Sequence, residues 1–394
     1  MYNVYQHWDP LKVCVVGRSY PPEFYSWITV PHVRNLMEKI AIETEEDYQH
    51  LISKLHEFGV KVLRPNLPSQ TMSYGKYIQP PMCPRDIFIM IGTDFYTPKL
   101  EYQEATKFDD QQWNEFYKNI RDDNWPINVG SIWDLPENLR QECIQVHGWG
   151  QAFDGNGTAL QPLIQQCYGD IIKNIQSQGN KIKIANNNNV NGAMVSRIGK
   201  DLYFGTYPDG KPLDLPNFQK EINTNFLHTR NHIVNTGGHG DGVYCPVCPG
   251  LIVSLTDIPT YAKTFPGWEV VYLPGQSWGM VKPFLDLKRK NHGKWWIPGF
   301  EYDNDVINTI ETWLGHWTGY VEETVFDVNM LIIDPKNVMV FNYNKQVFDA
   351  LDRYGITPHI VPFRHRYFWD GGIHCVTLDL HREGTMQDYF PNRI

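Results

Sequence analysis

Five times along this 394-residue chain, a helix-like stretch ends at a short break and runs into a β-branched strand. Such a repeat constrains a fold more than any single motif, because one unit cannot bury its own apolar face and must stack on its copies. The copies are His56–Val60 into Lys61–Pro65, Gln176–Asn180 into Lys181–Ile184, Phe226–Asn231 into His232–Asn235, Thr264–Gly267 into Trp268–Tyr272, and Asp352–Ile356 into His359–Pro362. Glycine stands before the strand at Gly59, Gly179, Gly267 and Gly355, the expected C-terminal stop of a helix; the third copy is weaker. A second apolar element recurs beside it: Val13–Gly17, Ile87–Gly92, Leu202–Gly205, Leu251–Ser254 and Met330–Ile333. Apolar runs this short, bounded by Gly or Asp, read as buried strands. The pattern suggests five α/β units around an axis with one shared core; an open α/β sheet would also alternate in this way. Two stretches, near 98–158 and 278–323, are too long for ordinary connections and read as lids, rim helices or dimer surface inserted into a single domain spanning 1–394.

Composition narrows the class. At 42% hydrophobic and 20% charged residues, the chain reads as a soluble globular protein. Its net charge of −9 and lack of a basic block argue against a nucleic-acid partner. Met1 to Asp9 lacks the basic start and apolar run of a signal peptide, and no apolar stretch is long enough to span a bilayer. Seven cysteines, an odd number widely spread, fit a reducing cytoplasmic setting better than a disulfide framework. The pair in Tyr244-Cys245-Pro246-Val247-Cys248 is unmatched by a second pair, so a structural reading is favoured over a zinc site.

The unusual polar residues fall beside predicted strands. Arg85-Asp86 precedes the second apolar strand, and Asn191 follows the strand at 181–184. His239 and Asp241 follow the strand at 232–235 within Gly237-Gly238-His239-Gly240-Asp241-Gly242, and Cys375 closes Gly371-Gly372-Ile373-His374-Cys375. Units set around an axis would bring these positions together at one end, the usual form of an active site. His239 could act as base toward a Cys375 thiol, although a small buried cysteine is an equally fair reading from chemistry alone. Asp86 and Asp241 suit a guanidinium, whose planar fork of donors matches carboxylates, or they are ordinary turn residues.

Several pieces of the chain occur in a telling order: His7-Trp8-Asp9-Pro10-Leu11, Val16-Gly17-Arg18, Cys83-Pro84-Arg85-Asp86-Ile87, Gly199-Lys200-Asp201-Leu202, His239-Gly240-Asp241, Pro249-Gly250-Leu251, and Gly372-Ile373-His374-Cys375 with Arg382-Glu383-Gly384. Together they resemble the glycine and inosamine-phosphate amidinotransferases of the pentein superfamily, from Trp8 to Gly384. The resemblance implies a five-bladed α/β propeller with pseudo-fivefold symmetry. It implies Cys375 as nucleophile, His239 as general acid/base, and Asp86 and Asp241, with Arg85 beside them, as substrate-binding residues. A guanidino donor and an amine acceptor would be the partners, with no metal or organic cofactor and a homodimer as the assembly.

Two departures stand out. Asn191 occupies the place where the family carries a carboxylate that orients the histidine. An amide can bond an imidazole but cannot neutralise an imidazolium; in a serine protease the analogous Asp→Asn change costs roughly 10⁴ in rate. Ile258 stands where arginine-using members commonly carry an arginine, and the next arginine is Arg289. The resemblance favours amidino transfer from arginine or, given Ile258, a related guanidino donor to a primary amine. Its alternatives are a hydrolase of the same superfamily and a catalytically impaired guanidinium-binding homologue.

Overall fold

The computed structural model describes residues 1–69, 71–73, 76–98, 157–185, 189–206, 215–236, 239–255, 261–273, 297–300, 302–314, 317, 325–369 and 371–393. One unit is built five times: an antiparallel hairpin, then a helix, then a third strand parallel to the second strand of the hairpin. The first unit joins the two ends of the chain. Its hairpin pairs β1 (Leu11–Val16) with the final strand β17 (Thr377–Arg382), and helix α1 (Pro31–Glu57) leads from β1 to β2 (Lys61–Leu63). A two-stranded ribbon, β3 (Met72–Ser73) and β4 (Lys76–Tyr77), follows. The second unit is β5 (Ile89–Ile91), β6 (Asp94–Pro98), α2 (Gly157–Ser177) and β7 (Lys181–Ala185). The third is β8 (Val195–Ile198), β9 (Asp201–Thr206), α3 (Leu215–Asn225) and β10 (Arg230–Asn235). The fourth is β11 (Tyr244–Cys248), β12 (Leu251–Ser254), α4 (Tyr261–Thr264) and β13 (Glu269–Tyr272). The fifth is β14 (Leu331–Asp334), β15 (Asn337–Val340), α5 (Lys345–Arg353) and β16 (Thr357–Ile360). This is the five-bladed α/β propeller.

Local chemistry explains why the unit repeats. The four helix-stopping glycines all adopt positive φ, between 66° and 84°, where a Cβ would be strained. Burial falls from the hairpins outward. Strands β8, β9, β11 and β12 are buried at every position, whereas the parallel third strands β2, β13 and β16 are half-buried or exposed throughout.

Here the structure corrects the sequence expectation of two strands per unit. Val13–Gly17, Leu202–Gly205 and Leu251–Ser254 fall on middle strands, but Ile87–Gly92 and Met330–Ile333 fall on the opening strands β5 and β14. Hairpin strands buried on both faces carry no alternation to reveal them, and β11 carries Pro246, which its edge position tolerates. Cys245 and Cys248 are buried free thiols of that strand.

Of the two expected insertions, 99–156 lies outside the described residues. The second is described over 297–300, 302–314 and 317, where Ile297, Val306, Ile310, Leu314 and Trp317 join the apolar cluster containing Leu36, Met37 and Ile40 of α1. No helix among the described residues is long and apolar enough to cross a membrane.

Where the units meet, the packing turns ionic. Asp379 on β17 accepts from Arg85 Nη1 (3.0 Å), Arg197 Nη2 (2.9 Å to each oxygen) and Arg382 Nε (2.7 Å), and all four side chains are within 1% of complete burial. Other guanidinium donors reach backbone carbonyls, Arg197 to Met90, Arg382 to Asp9 and Ile332, and Arg85 to His374 and Thr377, while Arg85 Nη2 and Arg197 Nε have no partner among the described residues. Burial works to raise the pKa of Asp379, but Arg197, Arg85 and Arg382 overturn this and hold it well below the usual carboxylate range.

Removing one partner of a buried ionic cluster leaves uncompensated charge, so Asp379→Asn should lower stability to urea by about 3–5 kcal/mol at neutral pH. Because the folded pKa is depressed, the wild-type contribution is full above the ordinary carboxylate pKa of about 4 and is lost as pH falls through the folded value. The gap between wild type and variant should therefore narrow on acidification; urea titrations across that range would check both points.

Candidate active site

Each unit places a polar residue within a few positions of the start of its opening strand. Asp86 ends the turn Pro84–Asp86 ahead of β5, and Asn191 precedes β8. Asp241 lies in the turn Gly240–Gly242 ahead of β11, Asn329 precedes β14, and Cys375 precedes β17. The fivefold arrangement gathers these positions, and hydrogen bonds join their neighbours. Asp241 N donates to Ala193 O (3.0 Å), Asn329 Nδ2 donates to Asp241 O (3.2 Å), and Gly192 N donates to Arg85 O (2.9 Å).

Cys375 is 7% exposed. Its Sγ lies 3.5 Å from Asp241 Oδ2 and 3.1 Å from Asn329 Nδ2. Asp241 Oδ2 also lies 2.8 Å from His374 Nδ1, while Asn329 Oδ1 accepts the backbone N–H groups of His374 (2.8 Å) and Cys375 (3.2 Å). Asn329 was not picked out from sequence, yet it stands directly before the apolar run Met330–Ile333 just as Arg85-Asp86 stands before Ile87–Ile91. That shared placement was the available signal.

Two carboxylate oxygens stand out. Asp86 Oδ1 and Asp241 Oδ1 are buried and have no hydrogen-bond partner among the described residues. Burial, opposed by Arg85, raises Asp86 to about 7. Burial likewise raises Asp241 to about 7, with Asp86 adding to the effect and His239 opposing it. The Cys375 thiol is pushed well above its ordinary value by burial, then by Asp241 and Asp86. Both carboxylates disfavour negative charge on the thiol, and Asp86 disfavours it on Asp241; a cation set among the three groups would relieve that conflict.

His239 lies in the same cluster, its Nδ1 3.9 Å from Asp86 Oδ1. Burial lowers its pKa and Asp241 opposes this. Its side chain is 38% exposed. Asn191, expected to orient this histidine, is engaged on its own turn: Oδ1 accepts from Ala193 N (3.0 Å) and Met194 N (2.9 Å). The carboxylate facing His239 Nδ1 is Asp86. Arg85, expected among the substrate-contacting residues, is wholly buried and turned toward Asp379; it supports the site from beneath through His374 O (2.7 Å). The tight helical turn Pro84–Asp86 explains this, since successive side chains there are about 120° apart and face different ways. Ile258 and Arg289 lie outside the described residues.

No family model matches the chain. Individual proteins resemble it along most of its length. The mitochondrial glycine amidinotransferase of Xenopus tropicalis is 21% identical over 430 aligned positions, covering 98% of this chain and 84% of that protein. A putative inosamine-phosphate amidinotransferase 2 of Streptomyces griseus is also 21% identical, covering 98% of each. Among solved structures, SxtG of Microseira wollei, an amidinotransferase in saxitoxin biosynthesis, superposes with a TM-score of 0.59 at 18% identity over 99% of both chains. The chain thus resembles the proteins its motifs pointed to, and its five-unit architecture is the fold of SxtG.

The raised carboxyls give the site a pH signature. Below about pH 7, binding a small guanidinium such as methylguanidinium must displace a proton from Asp86 and Asp241; above it, no proton need leave. Affinity should therefore rise by about tenfold per pH unit for each proton released and then level off. Calorimetry would check this, and Asp86→Asn should flatten the slope.

Proposed function

We propose that this chain is an amidinotransferase, moving an amidino group from arginine or a related guanidino donor to a primary amine through a covalent intermediate on Cys375. The observation that carries the reading is that Asp86 Oδ1 and Asp241 Oδ1 are buried with no hydrogen-bond partner among the described residues, while Asp241 Oδ2 lies 3.5 Å from the Cys375 sulfur. A guanidinium supplies the planar donors and the positive charge that this pair lacks.

Binding the cation neutralises the two groups that, after burial, most raise the thiol pKa. With donor bound, the Cys375 thiol passes its proton to His239 and the thiolate becomes accessible at neutral pH. Its sulfur attacks the guanidino carbon, forming a C–S bond, while His239 delivers a proton to the departing nitrogen and the C–N bond breaks. The first amine leaves, and an amidino group remains on sulfur with its positive charge held between Asp86 and Asp241. An incoming neutral amine attacks the same carbon and gives its surplus proton to His239, and the C–S bond breaks to restore the thiolate. Nucleophile, acid/base and counter-charges all come from the chain itself, so the scheme needs neither metal nor organic cofactor. Asn191 enters as support: its turn carries Ala193, whose carbonyl anchors Asp241. We place the protein in the cytoplasm on the same reading, with a homodimer as its assembly.

Intact-mass analysis after incubation with arginine and other guanidino compounds should find a one-amidino gain on wild type and none on Cys375→Ala. Adding an amine should discharge the adduct with formation of a new guanidino compound. Ureido product and ammonia without any amine would instead mark a hydrolase. A thiol that no guanidino compound modifies would mark a binding protein.

A further inference from the structure

Asn329 has no part in the scheme above, yet every hydrogen bond described for its side chain ends on the site. Oδ1 accepts from the N–H groups of His374 and Cys375, and Nδ2 donates to Asp241 O and to Cys375 Sγ. Two N–H donors at one end and a carbonyl at the other fix which end is oxygen. Since the amide nitrogen can only donate, Sγ is the acceptor in that contact. The side chain is 1% exposed, so solvent cannot replace these bonds. Gly372 is tied to the same contact, because a Cβ there would come within 2.2 Å of Asn329 Oδ1.

We infer that Asn329 is the positioning residue of Cys375, fixing the turn that bears the thiol with one end of its amide and favouring thiolate with the other. The inference rests on the reading of Cys375 as nucleophile. The groups facing Sγ otherwise pull in opposing directions. Asp241, Asp86 and Cys83 disfavour negative charge there, the Gly372 backbone favours it, and His374 is bonded to Asp241. His239 and Arg85 act on Asp241. Asn329 supplies the side-chain donor to sulfur, and a hydrogen bond to an ionised acceptor is stronger than one to a neutral thiol.

The test is the pH dependence of Cys375 alkylation by iodoacetamide, followed by peptide mass on the intact folded chain. Iodoacetamide is neutral and needs no guanidinium pocket. In Asn329→Ala, and in Asn329→Ser, whose hydroxyl is too short to serve both ends of the contact, the profile should move to higher pH by about one unit. Alkylation near neutral pH should then be about tenfold slower. Mere loosening of the turn would act in the opposite direction, wetting the thiol and relieving the burial that raises its pKa. A profile that stays in place, or moves to lower pH with faster alkylation, overturns the inference. The outcome is separable from the transfer reading. A slowed, shifted alkylation with no guanidino compound reacting retains the role of Asn329 and removes amidino transfer; transfer with an unmoved profile does the reverse.

Discussion

One carboxylate organises the centre of this molecule. Asp379 is bonded by three arginines from three units, and through others of their donors it is tied to carbonyls of β5, β14 and β17. Three guanidiniums against one carboxylate leave an excess of buried positive charge, which the carbonyl dipoles must offset. His7 fits this balance: its Nε2 accepts from Arg197 N, and burial and then Arg197 hold its pKa well below the ordinary value, so it adds no further charge. Buried ionic clusters are costly unless every donor is answered, and this geometry answers all but Arg85 Nη2 and Arg197 Nε. A propeller whose hairpins were joined by apolar contacts alone could slide; directional bonds from one point fix the register of four of its five units.

The site depends on that centre. Arg85 spends Nη1 on Asp379 and Nε on the carbonyl of His374, so the residue that anchors the second unit also anchors the turn carrying Cys375. Its neighbour Asp86 faces the other way, toward His239. Positive charge is thus concentrated beneath the site while unpartnered carboxylate oxygens line it. Left empty, the site sets two raised carboxyls against a raised thiol. In the proposed scheme a cation resolves this conflict, which makes binding and activation of the Cys375 nucleophile a single event.

Much of this was legible in the sequence. The helix-stopping glycines gave the period, and the polar residues beside strands gave Cys375, His239, Asp86 and Asp241. The hairpin partners were not legible, because strands buried on both faces show no alternation and β11 carries a proline. Arg85 and Asp86 looked alike as neighbours on one motif; which of them points inward depends on Asp379, nearly three hundred residues away. Asn191 drew notice as standing where the family carries a carboxylate; that its Oδ1 accepts two N–H groups of its own turn could not be read from the sequence. Asn329 was missed although it obeys the rule that found the others, since an asparagine before a strand is also an ordinary loop residue.

The central claim is that the carbon held between Asp86 and Asp241 passes to Cys375 and then to an amine. A pulse of guanidino donor labelled at its amidino carbon, followed by a chase with unlabelled donor and amine, tests it directly. The account predicts label first on the Cys375 peptide and then in the guanidino group of the acceptor. Label found in a ureido product, or never on Cys375, would contradict it.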